Sequence, residues 1–156
     1  MKPLSPGTQA PDFELTGKIG EPPFRLSQQR GKPVVVFFFP LAFSGVCTKE
    51  MCTLADEWDR WAALDAVVVA ISVDSPFTTH RFAQETGAPF PILSDFNREV
   101  STAFGVRNDD YFGMRGVADR SAFVISRDGV IAHVWKDDDD AALPDFDLLR
   151  NLLADT

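Results

Sequence analysis

The chain has 156 residues, which fits one domain of ordinary size, so we treat residues 1–156 as a single unit. Hydrophobic residues make up 45% and charged residues 24%, typical of a soluble globular protein, and the net charge of −8 argues against a nucleic-acid-binding surface. No apolar run forms a leader or reaches the roughly 20 residues of a membrane span, so we expect a cytoplasmic protein that acts away from membranes.

The first half of the chain predicts alternating strands and helices. The segment "FELTGKIGEPPFRL" has the alternation and the turn residues of a short hairpin. Val34 to Phe39 is an unbroken β-branched and aromatic run, typical of a strand buried on both faces, and Pro40 ends it. Apolar residues then recur at three- and four-residue spacing from about Ser44 to Leu64, which predicts a helix. "AVVVAISVD", which ends at Asp74, predicts a second buried strand.

Shorter elements follow the second strand. A helix is predicted from Phe77 to Thr86, closed by Gly87. "APFPILSD" predicts a loop or a short edge strand, and the next short helix spans Asn97 to Phe104. A polar loop containing glycines is expected from Val106 to Arg120.

The last part of the chain predicts a hairpin and a helix. "SAFVIS-RDG-VIAHVW" reads as two antiparallel strands joined by a turn at residues 127–129. The acidic run "KDDDD", from Lys136 to Asp140, is expected to form a solvated loop. Asp145 to Leu153 predicts an amphipathic helix.

The order of these elements limits the fold. A strand–helix–strand unit, followed by an antiparallel hairpin and a final helix, implies an α/β fold with a mixed central sheet flanked by helices. A thioredoxin-like topology satisfies this order, with the first hairpin as an N-terminal extension. Ligand sites in such sheets tend to lie beyond the carboxyl ends of the central strands. The segment "FFFPLAFSGVCTKEMC" falls at that place.

That segment contains the only two cysteines, Cys47 and Cys52, five positions apart. A zinc site needs about four ligands, and the chain offers only His80 and His133 besides the cysteines. The Cys-x4-Cys spacing is also wide for a zinc knuckle, and no second pair exists. The ligand count therefore argues against a metal site.

A permanent disulfide is also disfavoured if both cysteines lie on one regular helix. Five helical steps rotate by about 140° and rise by about 7.5 Å, which separates the two Cα atoms by roughly 8–9 Å. A disulfide requires these atoms within about 7 Å. A bond between Cys47 and Cys52 would therefore require the start of the helix to unwind, which suits a transient bond better than a permanent one.

The remaining possibility is a reactive thiol and its partner. Cys47 falls in the first helical turn, where backbone N–H groups and the helix dipole stabilise a thiolate. Cys52 lies a turn and a half further along, outside that effect, and we expect it to be buried. Cys47 then attacks and Cys52 resolves, or Cys52 is simply a small buried hydrophobe.

The segment "PLAFSGVC", from Pro40 to Cys47, resembles the active-site signature of peroxiredoxins: proline, three residues, Thr or Ser, two residues and the peroxidatic cysteine. "APDFEL", "ISVDS", "FPILSD" and "GMRGVADRSAFVIS-RDG" resemble other parts of that family, so the likeness covers nearly the whole chain. The Cys-x4-Cys spacing is similar to the bacterioferritin-comigratory (PrxQ) group. "FPLAFSG" and the loop from Val106 to Ala118 resemble the alkyl hydroperoxide reductase E-like group.

The resemblance implies a role for each matching position. Cys47 would be the peroxidatic thiolate, which attacks a peroxide oxygen and becomes a sulfenic acid. Ser44 would offer its hydroxyl to the peroxide, and Pro40 would limit access of water to the thiolate. Arg120 would stabilise the thiolate and the charge that moves onto the leaving oxygen.

Two supporting groups are implied in the same way. Backbone N–H groups of Val46 and Cys47 would assist the arginine. Glu50, three positions after Cys47, would hold Arg120 in place, unless its position in the helix reflects only the helix dipole.

The activity implied by the resemblance is reduction of hydrogen peroxide and small organic hydroperoxides, without metal, haem or flavin. A thioredoxin-like reductant would recycle the enzyme, which would be a monomer or a homodimer. One alternative is a one-cysteine peroxiredoxin in which Cys52 is structural, and another is a peroxide sensor that acts through a protein partner. A thioredoxin-type disulfide oxidoreductase usually carries Cys-x-x-Cys, so the observed spacing argues against it.

Overall fold

The computed structural model describes residues 1–138 and 142–156 of the chain. The strands are β1 (Glu14–Leu15), β2 (Phe24–Arg25), β3 (Val34–Phe38), β4 (Val67–Ser72), β5 (Ile92–Ser94), β6 (Arg107–Asn108), β7 (Val117–Ala118), β8 (Ser121–Ile125) and β9 (Ile131–Lys136). The helices are α1 (Gly45–Asp56), α2 (Trp58–Ala62), α3 (Pro76–Thr86), α4 (Glu99–Ala103) and α5 (Phe146–Asp155). Of the predicted acidic loop, Asp139 and Asp140 lie outside the described residues.

The central sheet has the order β5-β4-β3-β8-β9. Strand β3 pairs in parallel with β4 and antiparallel with β8, and β8 forms the predicted hairpin with β9. The predicted thioredoxin-like fold, with a mixed central sheet flanked by helices, is confirmed, and β1 and β2 form the predicted N-terminal hairpin. The carboxyl ends of β3, β4 and β5 open onto one edge of the sheet, because parallel strands end on the same side.

The unbroken apolar run in β3 is explained by burial of the sheet on both faces. Its alternate side chains enter two separate cores. The core on one face contains Phe37 together with side chains of α1, α2, α3 and α5. The core on the other face contains Phe38 together with the N-terminal segment and α4. Each position of β3 therefore needs an apolar side chain, which the alternating pattern of a half-exposed strand would not supply.

Two local features differ from the predictions. The long helix expected from Ser44 to Leu64 is interrupted at Glu57, which separates the end of α1 from the start of α2. Apolar periodicity continues across this break, so the pattern could not reveal it. The expected loop from Val106 to Arg120 contains the short antiparallel pair β6–β7. Strands of two residues are too short to show alternation.

The acidic run after β9 is only partly solvated. The side chain of Asp138 is 92% exposed, whereas that of Asp137 is 3% exposed. The Oδ2 atom of Asp137 accepts a hydrogen bond from the backbone N–H of Ala142. The prediction of a solvated loop is therefore wrong for Asp137, because the hairpin carries this residue back against the sheet. Within the described residues, none of the helices has the length and apolar character needed to span a bilayer.

Candidate active site

Cys47 lies at the start of α1, beyond the carboxyl end of β3. The helix begins at Gly45, with Ser44 as its N-cap, and Cys47 is its third residue. The residue is fully buried. Because the first N–H groups of a helix have no acceptor within the helix, this position favours negative charge on the sulfur.

Arg120 contacts the sulfur directly. Its Nη1 atom donates to Cys47 Sγ at 3.3 Å and to Glu50 Oε1 at 2.9 Å. The arginine precedes β8, whose first residue, Ser121, pairs with Phe38 at the end of β3. The sheet register thus places Arg120 at the carboxyl end of β3, and the chain continues from this end to Cys47. The predicted grouping of Cys47, Glu50 and Arg120 is present in the structure.

The charges around this arginine are unusual because they are buried. Burial raises the pKa of Glu50 from 4.5 to about 7, although the positive charge of Arg120 acts in the opposite direction. Burial also works against the charge of Arg120, but Glu50 and then Cys47 outweigh it, so the pKa of this guanidinium is raised. Glu50 Oε2 is buried and has no hydrogen-bond partner among the described residues. Glu50 is therefore poised to hold a proton near neutral pH.

Asp137 is a further acidic neighbour that the sequence analysis did not assign to the site. Its Oδ2 atom lies 4.0 Å from Arg120 Nε, and its backbone N–H donates to the carbonyl of Arg120 at 2.9 Å. The signal was available in the hairpin, since pairing of Ser121 with Lys136 sets Asp137 beside Arg120. One buried guanidinium thus faces three acidic groups.

The segment from Pro40 to Ser44, here called the active-site loop, connects β3 to α1. Pro40 is buried and Ser44 is half-buried. The hydroxyl of Ser44 donates to the carbonyl of Leu41 at 3.0 Å and makes no side-chain hydrogen bond that caps α1. Since its proton is engaged, this oxygen is left to act as an acceptor in any further hydrogen bond.

Asp74, just beyond β4, is a second residue that the sequence analysis did not single out. Its Oδ2 atom accepts hydrogen bonds from the backbone N–H of Ala42 at 2.8 Å and from Ser72 Oγ at 2.6 Å. The quoted segment "ISVDS" already placed it at a strand end, but no local pattern connects it with a loop 32 residues earlier.

Both cysteines are free thiols and lie on the same continuous helix. Regular helix geometry places their Cα atoms roughly 8–9 Å apart, so a bond between them requires unwinding. The expectation that Cys52 is buried is wrong, because its side chain is half-buried, on the flank of α1. Cys52 is consequently more accessible than Cys47 in this conformation.

The two histidines take no part in this site: His80 lies on α3 and His133 on β9. In the part of the chain that the structure describes, no group of three or more His, Cys, Asp or Glu side chains has an arrangement that could hold a metal ion.

Comparison with known proteins adds to this geometry. Residues 6–134 match the family model described as the AhpC/TSA family. The chain is 38% identical over 130 residues to alkyl hydroperoxide reductase E of Mycobacterium tuberculosis, covering 82% of each protein. It is 34% identical over 136 residues to peroxiredoxin Bcp of Bacillus subtilis, covering 83% of each. The crystal structure of peroxidoxin BcpB from M. tuberculosis superposes with a TM-score of 0.83 at 31% identity, covering 96% of both chains.

Proposed function

This chain belongs to the AhpC/TSA family and is a thiol peroxidase of the peroxiredoxin type, and from that premise we propose that Cys47 reduces the peroxide and Cys52 resolves the oxidised form. The observation that carries the proposal is the 3.3 Å contact between Arg120 Nη1 and Cys47 Sγ at the buried start of a helix. A cation and a helix N-terminus directed at one sulfur stabilise the thiolate, which is the nucleophilic form.

In the first step, the thiolate of Cys47 donates an electron pair to the terminal oxygen of a hydroperoxide. A sulfur–oxygen bond forms as the oxygen–oxygen bond breaks, so Cys47 becomes a sulfenic acid and an alkoxide or hydroxide leaves and takes up a proton. Arg120 offers donors to the charge that moves from sulfur to the leaving oxygen. Ser44 accepts a hydrogen bond from the peroxide, and backbone N–H groups of Val46 and Cys47 support the sulfur. Pro40 excludes water on the strand side.

In the second step, the Cys52 thiol attacks the sulfenic sulfur, giving a disulfide and one water molecule. Helix geometry requires the first turn of α1 to unwind before the sulfurs can meet. The half-buried position of Cys52 supports this role, because an accessible thiol can be reached once Cys47 moves outward. A thioredoxin-like dithiol then reduces the bond by thiol–disulfide exchange and regenerates both thiols.

The substrates we propose are hydrogen peroxide and small organic hydroperoxides, in keeping with the similarity to a protein named alkyl hydroperoxide reductase E. The chemistry uses only thiols and requires no metal, haem or flavin. Because each cycle must end in reduction of a disulfide, we place the enzyme in the reducing cytoplasm. We treat residues 1–156 as one catalytic domain, active as a monomer or homodimer.

The test combines peroxide kinetics with mass analysis of the two cysteines. Cys47→Ser should abolish peroxide consumption, because a hydroxyl does not form a nucleophilic anion at neutral pH. Cys52→Ser, the matched control, should keep the first oxidation and accumulate a sulfenic acid at Cys47, while losing the intramolecular disulfide. Retained turnover in Cys47→Ser would reject the mechanism. A wild-type protein that shows unbridged Cys47 sulfenate would instead establish a one-cysteine cycle.

A further inference from the structure

The active-site loop has a conformation that its own sequence does not favour. Phe43 has a φ of 69°, in the left-handed region that a residue with a Cβ atom rarely adopts. Backbone of this kind persists only where the surroundings impose it. The loop therefore depends on contacts with the rest of the protein.

Two contacts of the loop come from the unit formed by β4 and α3. The backbone N–H of Ala42 donates to Asp74 Oδ2, and the ring of Phe43 packs edge-on against Phe82 at a centroid distance of 5.0 Å. Phe43 is 52% exposed, so its packing constrains the loop on one side only. The bond to Asp74 is a polar restraint that ties the loop backbone to the end of β4.

Asp74 is itself held firmly. Ser72 Oγ donates to the same carboxylate oxygen at 2.6 Å, and Ser94 Oγ donates to the backbone carbonyl of Asp74 at 2.5 Å. These contacts tie the residue to the ends of two neighbouring sheet strands, β4 and β5. The carboxylate thus holds the loop backbone in a fixed position relative to the sheet.

The geometry of a single peptide group links Asp74 to the site. The N–H of the peptide between Leu41 and Ala42 donates to Asp74, and the C=O of the same peptide accepts from Ser44 Oγ. A planar peptide cannot turn one end without turning the other. Fixing the N–H therefore fixes the carbonyl, and with it the direction of the Ser44 hydroxyl. Hydrogen bonds in such a chain also strengthen one another.

We propose that Asp74 is a positioning residue for peroxide reduction, which acts through the Leu41–Ala42 peptide to orient the hydroxyl of Ser44 toward the substrate. The inference rests on the proposed function, because it assumes that Cys47 and Ser44 contact the peroxide. Asp74 itself makes no contact with the substrate. Removal of the Asp74 carboxylate allows the Leu41–Ala42 peptide to rotate. The lone pairs of Ser44 then no longer point toward the peroxide.

The test is a double-mutant cycle in a Cys52→Ser background, where oxidation of Cys47 by hydrogen peroxide is followed alone by stopped flow. Asp74→Ala should slow this oxidation roughly tenfold, the effect of losing a hydrogen bond to a charged group. In a protein that also carries Ser44→Ala, the same Asp74→Ala change should slow it by less than about twofold, since the group through which it acts is gone. Asp74→Asn, whose amide oxygen can still accept from Ala42, should restore most of the rate.

A matched control separates positioning from general loss of stability. Asp95 follows β5 as Asp74 follows β4, and its carboxylate accepts from the backbone N–H groups of Val100 at 3.1 Å and Ser101 at 2.7 Å. Asp95→Ala should lower the melting temperature at least as much as Asp74→Ala, yet leave the oxidation rate unchanged. Amide exchange at Ala42 should accelerate in Asp74→Ala and stay slow in Asp95→Ala.

The two hypotheses fail in different ways. If the Cys52→Ser parent is not oxidised at Cys47, the proposed function is wrong, and Ala42 amide exchange still decides whether Asp74 holds the loop. If the parent is oxidised but Asp74→Ala slows it equally with and without Ser44, the two residues act independently and the positioning role is refuted. An oxidation rate unaffected by Asp74→Ala refutes it as well.

Discussion

The first turn of α1 and its later turns are held by different balances of polar and apolar contacts. In the first turn, residues 45–48, only Cys47 is buried; it borders the apolar core and also accepts a hydrogen bond from Arg120. In the later turns, Met51 and Leu54 are fully buried in an apolar core. The polar attachment to Arg120 therefore lies near the start of the helix, through Cys47 and Glu50, and the hydrophobic attachment is largest further along.

This difference indicates where the helix can open. A hydrogen bond broken on unwinding is replaced by one to water, at a net cost of about 0.5–1.5 kcal/mol, or about 1.5–3 kcal/mol with a charged partner. Exposing a large apolar side chain costs about 1.5–3 kcal/mol with no such replacement, so opening the later turns, which exposes both Met51 and Leu54, costs about twice as much. The first turn can consequently release Cys47 while the later turns keep Cys52 in place, as a disulfide between them requires.

The largest effect is expected from breaking the polar attachment. Arg120→Lys should slow oxidation of Cys47 by roughly 10²–10³-fold, the range seen when a donor to developing charge is lost. A lysine keeps the charge but cannot reproduce the fixed donors of the guanidinium between Cys47 and Glu50. Stopped-flow oxidation measures the change, and Arg107→Lys, on a half-exposed arginine bonded to Asp109, is the control. A loss of less than threefold would contradict the assigned role.

The hydrophobic attachment should respond in the opposite way. Leu54→Ala is expected to lower the free energy of unfolding by about 2–5 kcal/mol, because it opens a cavity in the core. The rates of Cys47 oxidation and disulfide formation should stay within about twofold, since the first turn is untouched. Chemical denaturation and stopped flow provide the two measurements. A large kinetic effect would mean that the two parts of α1 open together.

Glu50 lies at the boundary between the two parts and should make stability depend on pH. Its pKa is raised to about 7 in the folded protein, from 4.5. Between these values the folded state keeps a proton that the unfolded state has released, so the free energy of unfolding falls as pH rises from 4.5 to 7. Denaturation across this range should show that the fall is smaller in Glu50→Gln. Glu99→Gln, on the exposed start of α4, should keep the wild-type profile, and identical profiles for all three proteins would refute a proton on Glu50.

The smallest effect is expected from Gly45→Ala, which tests whether unwinding occurs in the first turn of α1. A Cβ atom added at Gly45 would meet no other group within 4 Å, and the backbone there is not left-handed, so Gly45→Ala fits the helix start without strain. Alanine should stabilise the folded first turn by about 0.4–1 kcal/mol and slow disulfide formation about two- to fivefold. Quenched-flow mass analysis measures this rate. Ala55→Gly, which weakens a later turn, should lower stability without accelerating the disulfide, and faster bridging in that variant would place the opening elsewhere.

Local patterns were sufficient for most of the elements and for part of the site, but not for the break between α1 and α2 or the short β6–β7 pair. The apolar run of β3, the turn residues of the final hairpin and the stop at Pro40 each reflect the preferences of neighbouring residues. The same is true of Cys47, whose position at a strand-to-helix junction follows from two adjacent elements. Glu50 was assigned to the site through the family resemblance, and its position three residues after Cys47 on α1 agrees with that assignment.

Contacts between distant segments required more than spacing. Arg120, 73 residues from Cys47, was assigned to the site only through a family resemblance, and the register between β3 and β8 is what brings it there. Asp74 was missed because it meets the loop from a strand end 32 residues away, whereas Asp137 could have been placed beside Arg120 from the register of the predicted final hairpin. Cys52 was expected to be buried, but its exposure depends on which face of α1 the core covers.

The sequence by itself determined the order of the elements, the buried strands and the placement of a cysteine at a helix start, because these depend on residues close together in the chain. The tertiary structure alone decided that Asp137 lies beside Arg120 and that Asp74 restrains the loop next to the cysteine. Sheet register and burial on packing set those contacts, and both result from interactions summed over the whole fold.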